Sequence, residues 1–468
     1  MLSGIASLLS IFIFSRLLSA EGYGQFAVVL AIASVCQTAG FSWIQASITR
    51  LTPDQSDCAG YDRFAAGVRL GFMLSAIVVA LAWTVAFVAF KPWPGEMVMS
   101  IAGLSVLLCN AWASAGQAWN RVLERPWRFA MSLSVQALGS LALAIAGLAW
   151  RPGDPLVPLV AVAAASLLAS SIAHIPVAGG GGGLREIQPQ LRRMLAYAGP
   201  LTAVSLGWVI LAAADRLLIA SILGPAAAGA YSVASGLASR AVGLLLLPIS
   251  LSTRSLVFVE FDRRGAEAAN ELLRKVGSWL TAVGLPVTVL LVCAPGVLAS
   301  AIVGDQLAAA AAEVLPWTAV GALLAALLTL HFVLGFQVTH RTKWTLFAVA
   351  PAAAFDIVSN ILLLPRFGIV AAGWSMVASY AVALVLTIRF GRHHFRVPFS
   401  FLDALRTLAA CIPLAVFLQL EFQPTVGGLV LMLGGGALIY AASALAFNVA
   451  ASRTHLARWI RSQQAHPT

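Results

Sequence analysis

Charge is what this sequence has least of. Only 10% of its 468 residues are Asp, Glu, Lys or Arg, against 60% that are hydrophobic, whereas a water-soluble domain carries about 25% charged residues. So little charge cannot coat a globule in water. That excludes a soluble enzyme, a secreted disulfide scaffold and a disordered chain. Acids are the scarcer sign: 18 Asp and Glu stand against 29 Lys and Arg, a formal net charge of +11. A basic balance often marks a nucleic-acid binder, but in so apolar a chain the position of each charge decides its meaning, and no nucleic-acid partner is expected. Cysteine is sparse too. Cys36, Cys58, Cys109, Cys293 and Cys411 are scattered, odd in number and form no CxxC, which argues against a disulfide framework or a metal site. No basic leader precedes a small-residue cleavage site, so no cleavable signal peptide is expected. The five glycines of 179–183 lack the Lys-Ser/Thr of a P-loop, and no HExxH surrounds His174 or His331. Neither ATP, a metal nor another cofactor is expected.

What is present in quantity is long apolar runs. A membrane-spanning helix needs about 20 mostly apolar residues. Six runs come first, at 2–18, 25–48, 65–90, 97–119, 129–150 and 156–177. Six more lie at 196–219, 226–252, 277–302, 314–337, 345–364 and 369–388, and a final pair at 404–420 and 426–448. Fourteen such runs predict an all-α integral membrane protein, because backbone in hydrocarbon must satisfy its own hydrogen bonds. Alanine-rich runs without ten-residue alternation exclude an outer-membrane barrel. With the first loop outside, 23 of the 29 basic residues fall in inward loops and the tail, while outward loops hold Lys91, Arg151 and Arg366. The positive-inside rule then places both termini in the cytoplasm.

The chain also repeats itself. Leu18 to Val28 aligns with Leu223 to Val233 at an offset of 205, matching Gly24 with Gly229 and Phe26 with Tyr231. Each copy follows the first helix of a six-helix half. The predicted organisation is an N-terminal lobe at 1–178, a Gly-rich, basic and flexible cytoplasmic linker at 179–194, a C-terminal lobe at 195–400, and an extra helix pair with a basic tail at 401–468. Two like-oriented lobes favour a midplane cavity and alternating access.

Several landmarks carry a resemblance. The stretch from Ser15-Arg16 through Glu21, Tyr23 and Gly24 to Phe26 resembles the opening signature of the polysaccharide biosynthesis (Wzx-type) flippases of the MOP exporter superfamily. Asp215-Arg216, then Leu223-Gly224-Pro225 and Gly229 to Ser232, is similar to the start of that family's second half. Ile302 to Asp305 and Asn360 to Gly373 are similar to two of its later loops. The resemblance implies a MATE-like fold that is not an enzyme. It implies a bacterial inner-membrane flippase for undecaprenyl-diphosphate-linked oligosaccharide, serving O-antigen, capsule or exopolysaccharide synthesis. Partners would be the lipid-linked sugar, membrane lipids and, as a candidate, a glycan polymerase. Alternatives are another MOP-type exporter of drugs or peptidoglycan precursor and, from a different class, a membrane glycan polymerase or ligase. The outward loops are short and the longest loop, 254–276, lacks a catalytic pattern, which weighs against the enzyme.

Ionisable residues inside spans are costly, so each is a functional candidate. Arg240, Arg216 and Arg16 are candidate contacts to a substrate diphosphate, because guanidinium groups grip phosphate bidentately and stay charged. For Arg16 the alternative is snorkelling to the headgroups. Asp356 and Asp215 are the acids well inside spans and are candidates for ion coupling, though Asp215 could simply neutralise a neighbouring arginine. Asn110, Gln117, Gln37 and Gln45 lie in polar stripes at helical spacing and are candidate sugar contacts in a cavity, with Trp112 and Trp119 nearby for stacking. The competing role for such side chains is interhelical hydrogen bonding.

Overall fold

The computed structural model describes residues 2–53, 57–90, 97–175, 184–339 and 341–453. These form helices, with an isolated bridge between Leu18 and Gly153 and no strand among the described residues. The order begins α1 (Leu2–Leu17), α2 (Ala20–Leu51), α3 (Cys58–Phe90), α4 (Met97–Val122), α5 (Pro126–Ser134), α6 (Ser140–Trp150) and α7 (Leu156–Ile172). It continues with α8 (Leu184–Leu223), α9 (Pro225–Arg264), α10 (Ala266–Cys293), α11 (Pro295–Ile302), α12 (Asp305–Leu327) and α13 (Leu334–Val338). It ends with α14 (Lys343–Phe367), α15 (Val370–Gly391), α16 (Phe401–Ala410), α17 (Ile412–Phe417) and α18 (Val426–Ala446). Two π-helical turns interrupt spans, Val135–Gly139 between α5 and α6 and Leu328–Phe332 after α12.

Among the described residues eleven helical segments are long and apolar enough to cross a membrane, joined by the shorter apolar segments Gly4–Leu17 and Leu156–Ile172. The chain is therefore an all-α, multi-pass membrane protein. The run at 404–420 forms two short helices, α16 and α17, rather than one span. Pro413, in the first turn of α17, has no N–H to continue the ladder back to the end of α16.

Three sequence expectations change. The stretch 254–276 is not a loop: α9 runs on to Arg264 and α10 starts at Ala266. The only residue between them is Gly265, at φ +81°, a left-handed conformation that glycine adopts without a Cβ clash. The span expected at 277–302 accordingly begins earlier and ends at Cys293, where Pro295 opens the separate helix α11. The glycine run 179–183 lies outside the described residues, but the basic stretch after it is helix from Leu184 onward, so the expected flexible linker does not extend through 184–194.

The contacts divide the chain into two compact units, residues 1–232 with 356–365, and residues 233–355 with 366–468. In the first unit α2 packs along α8 and α4, and α7 packs against α4 and α6. Lipid tails are as apolar as leucine, so packing here depends on close van der Waals fit and interhelical hydrogen bonds. Both are visible. Ser47 Oγ donates to the Met194 carbonyl at 3.3 Å, and Ser42 Oγ to Thr202 Oγ1 at 3.1 Å, tying α2 to α8. Where α2 meets the first turns of α9, the repeat-matched glycines touch. A Cβ on Gly24 would overlap the Pro225 carbonyl, and one on Gly229 would lie 2.8 Å from the Ala20 carbonyl oxygen and 3.0 Å from the Gly24 nitrogen. Ala20 and Pro225 are themselves matched at the offset of 205, so the contact is reciprocal.

Trp119 belongs to the packing of this unit rather than to a sugar site. It is 1% exposed, stacks on Phe64 at 5.9 Å and donates its indole N–H to Tyr61 Oη at 3.1 Å. Trp112 packs edge-on against Phe72 at 4.7 Å. In the second unit α12 packs against α15 and α10. The C-terminal helices dock on α10 through Ser278 Oγ to Asp403 Oδ2 at 2.6 Å and Tyr440 Oη to the Ala282 carbonyl at 2.5 Å.

Candidate functional site

The first unit gathers the span-embedded acids into one cluster. Asp215 on α8, Tyr231 on α9, and Asp356 and Asn360 on α14 are 3%, 2%, 1% and 0% exposed. Asn360 Nδ2 donates to Asp215 Oδ1 at 2.8 Å and to the Asp356 carbonyl at 2.9 Å. The Tyr231 hydroxyl donates to Asp215 Oδ2. The Asp215 and Asp356 carboxyl groups share a hydrogen bond. Two ionised carboxylates are acceptors only, so such a bond forms when one of the two is protonated. Arg216 sits beside Asp215 and interacts with it electrostatically; its Nε is buried and has no hydrogen-bond partner among the described residues. Asn360 Oδ1 is likewise buried without a partner. The cluster thus presents carboxylate, carboxamide and phenol oxygens in a dry site next to one fixed positive charge. That arrangement can hold or release a proton, and its oxygens are also the hard ligands that a small cation takes.

Asp215 and Asp356 are thus brought together as the sequence suggested, whereas Tyr231 and Asn360 were not among its site candidates. Both had a signal. Asn360 follows Asp356 by four residues, one helical turn. Tyr231 matches Phe26 in the repeat, so its hydroxyl is the atom by which the second copy differs from the first. At the same offset Asp215 matches Ser10, and the first copy has no equivalent acid. Removing the hydroxyl tests the cluster's integrity. Tyr231→Phe leaves Asp215 Oδ2 short of a buried donor and is expected to cost about 1–3 kcal/mol, read as a lower melting temperature of the purified protein in detergent. An unchanged melting temperature would show that the bond contributes nothing.

The arginines are placed differently from one another. Arg216 is half-buried beside the acid pair. Arg240 is half-buried on α9 in the second unit. Arg16 is exposed near the end of α1, with its guanidinium 4.3 Å above the Phe12 ring.

The polar stripes form a second cluster in the first unit. Asn110 Nδ2 donates to Gln37 Oε1 at 3.0 Å, Gln136 Nε2 to Asn110 Oδ1 at 2.6 Å, and Gln117 Nε2 to Gln136 Oε1 at 2.8 Å. Ser132 Oγ, within 3.4 Å of Gln117 Nε2, passes the chain on to the Ala169 carbonyl at 2.9 Å. The amides of Asn110, Gln117 and Gln37 are therefore occupied by one another, and Gln45 stands outside this chain. Its central member, Gln136, was absent from the sequence candidates. It lies in the π-helical turn Val135–Gly139, whose extra residue per turn shifts its side chain out of the ordinary helical stripe. Between α2, α3 and α8 lies an apolar cavity of about 800 Å³, walled by residues such as Val28, Trp83, Phe87 and Leu217. His331 is buried in the second unit with Nε2 3.0 Å from the Pro398 carbonyl oxygen, and no group of three His, Cys, Asp or Glu side chains converges among the described residues.

Residues 1–253 match the polysaccharide biosynthesis protein family. The chain belongs to that family. Solved structures similar to this polysaccharide biosynthesis family member include flippase and MATE transporters. The lipid II flippase MurJ, in an inward closed conformation, gives a TM-score of 0.75 at 15% identity, over 95% of this chain and 97% of that one. An inward-facing multidrug resistance MATE transporter of the MOP superfamily gives 0.66 at 13% identity, over 84% and 93%. The eukaryotic MATE transporter AtDTX14 gives 0.55 at 14% identity, over 83% and 92%. Among curated protein sequences none matches. The family member thus shares the fold of these membrane transporters.

Proposed function

We propose that this protein flips undecaprenyl-diphosphate-linked oligosaccharide across the bacterial inner membrane, by alternating access of two six-helix lobes at 1–178 and 195–400. Both termini would face the cytoplasm, the C-terminal pair at 401–468 would flank the second lobe, and a glycan polymerase would use the delivered sugar lipid for O-antigen, capsule or exopolysaccharide. The observation that carries this reading is the buried Asp215–Asp356 pair in a member of the polysaccharide biosynthesis family. A dry carboxyl pair holding a proton is a device for coupling movement to a proton or Na⁺ gradient. Arg216, with a buried Nε that lacks a partner, and Arg240 are the proposed contacts to the diphosphate. Arg16 is the weaker third, since its exposed position over Phe12 suits snorkelling.

Reconstituted vesicles with a fluorescent undecaprenyl-diphosphate oligosaccharide test the reading. Accelerated transbilayer movement is expected. Arg240→Gln should slow it at least about tenfold, the worth of one charge-assisted phosphate contact, without changing the amount of folded protein. The similarity to a lipid II flippase favours a peptidoglycan precursor as the second reading. Movement of lipid II without movement of any oligosaccharide lipid would decide for it, and movement of neither would remove the flippase proposal.

A further inference from the structure

The second unit holds a cavity of about 930 Å³ that the proposed transport cycle does not use. It is enclosed by the C-terminal turn of α15, the segment 395–400 leading into α16, the π turn and α13, and the early turns of α10. Four arginines line it, Arg274, Arg389, Arg392 and Arg396, all exposed at its rim, and no acidic residue lines it. Among the described residues the ion pairs engage Arg151, Arg264, Lys275 and Arg406, and none of these four arginines. Arg389 Nη1 lies 2.9 Å from Nε2 of the neighbouring His393 ring.

Basic residues at the ends of membrane helices ordinarily point into solvent, each on its own. This group departs from that pattern in two ways. First, the cavity has a polar interior. Thr387 is 2% exposed, and its hydroxyl is buried there without a hydrogen-bond partner; Asn270 Oδ1 is a second buried lining atom without one. A hydroxyl can donate to a phosphate oxygen, while a carboxamide oxygen can only accept, so the ligand must bring both an anion and a donor. Second, the remaining wall is aromatic, formed by Phe332, Phe336, Phe399 and Phe401, and Phe401 is 79% exposed at its edge. Phe332 and Phe336 are already buried, so it is Phe401 that a free inorganic anion would leave against water.

We propose that this cavity binds the headgroup of an anionic glycerophospholipid. The phosphate would lie among the guanidiniums and the Thr387 hydroxyl, a headgroup hydroxyl would donate to Asn270 Oδ1, and the acyl chains would run over the phenylalanines. Such a lipid is held by the protein, not carried by it, and basic pockets between helices are where anionic headgroups bind. The site lies within the second unit and does not depend on which substrate is flipped.

The full-length protein is reconstituted in dioleoylphosphatidylcholine vesicles containing dioleoylphosphatidylglycerol, extracted in mild detergent, and its retained lipid measured by native mass spectrometry. Wild type should retain phosphatidylglycerol and not phosphatidylcholine. Arg392→Gln with Arg396→Gln should lower retention about a hundredfold, roughly tenfold for each charge-assisted contact. Thr387→Val, which alters no charge, should lower it several-fold. Arg125→Gln with Arg263→Gln, exposed residues that do not line the cavity, removes the same charge and should leave retention intact. Equal loss in that control pair, or wild-type retention in both cavity variants, overturns the proposal in favour of diffuse surface charge. Soluble glycerol phosphate added as a competitor should displace little lipid; stabilisation of the protein by glycerol phosphate with no lipid retained would overturn the lipid assignment in favour of a soluble phosphate ligand.

Discussion

On the proposed coupling role, Asp356→Asn is expected to abolish gradient-driven flipping while the protein still folds and inserts. Asparagine keeps the size and shape of the side chain, but it cannot exchange a proton with Asp215. Asp356 is 1% exposed, which keeps it from bulk solvent, and its partner Asp215 already accepts from Tyr231 and Asn360. Transport in vesicles with an imposed proton or Na⁺ gradient should fall to the rate of protein-free controls, and an ionophore should have no further effect. Asp215→Asn should do the same. Because the two carboxyls act through one shared bond, the double variant should be no worse than either single one, a coupling that a double-mutant cycle reads directly. Loss of Asp215 altogether is a different experiment: Asp215→Ala removes the acceptor for the buried Tyr231 hydroxyl and Asn360 amide, and leaving a buried donor unsatisfied costs about 1–3 kcal/mol, so it should reduce the yield of folded protein as well. Full gradient-dependent flipping in Asp356→Asn would falsify the coupling role of the pair.

Gly24→Leu should be the most damaging single change to the packing of the first unit. Even a Cβ at this position overlaps the Pro225 carbonyl, and the reciprocal position, Gly229, faces Ala20 and Gly24 backbone atoms at 2.8 to 3.2 Å. Overpacking a core of side chains costs typically about 1–3 kcal/mol because neighbours can shift rotamers. Here the obstacle is backbone on a neighbouring helix, which has no rotamer to change, so the cost should reach or pass the top of that range. The expected result is a large fall in melting temperature in detergent or loss of the monodisperse peak. Gly199→Ala, a helical glycine with open space around it, should instead be neutral or stabilise by about 0.5–1 kcal/mol. Equal stability for Gly24→Leu and wild type would mean that α2 and α9 do not meet in the membrane as they do here.

These two experiments separate what was readable in advance from what was not. The spans were readable because hydropathy is a local property: a run such as 97–119 announces its solvent whatever it packs against, and it appears as α4. The family landmarks were readable because they are contiguous in the chain. Where local reading failed, charge misled it. The residues around Arg263, Arg264, Glu267 and Glu271 looked like a loop because they are polar, yet helices α9 and α10 carry them beyond the apolar core and turn at the single residue Gly265. Trp119 looked like a stacking platform because it follows Gln117, but the side of α4 it occupies meets Phe64 and Tyr61.

The sequence by itself determined the solvent of this protein, its helical architecture and its family, all of which follow from composition, period and contiguous motifs. It also named Asp215 and Asp356, since an acid in an apolar run stands out in one dimension. Only the tertiary structure decided that these two acids lie side by side, that Asn360 reaches Asp215 across 145 residues, and that the amides of Gln37, Asn110, Gln136 and Gln117 bond to one another. The reason is physical: hydropathy and spacing report which face of a helix is polar, while which faces meet depends on small residues such as Gly24 and Gly229 that let backbones approach, and on a π turn that re-aims one side chain.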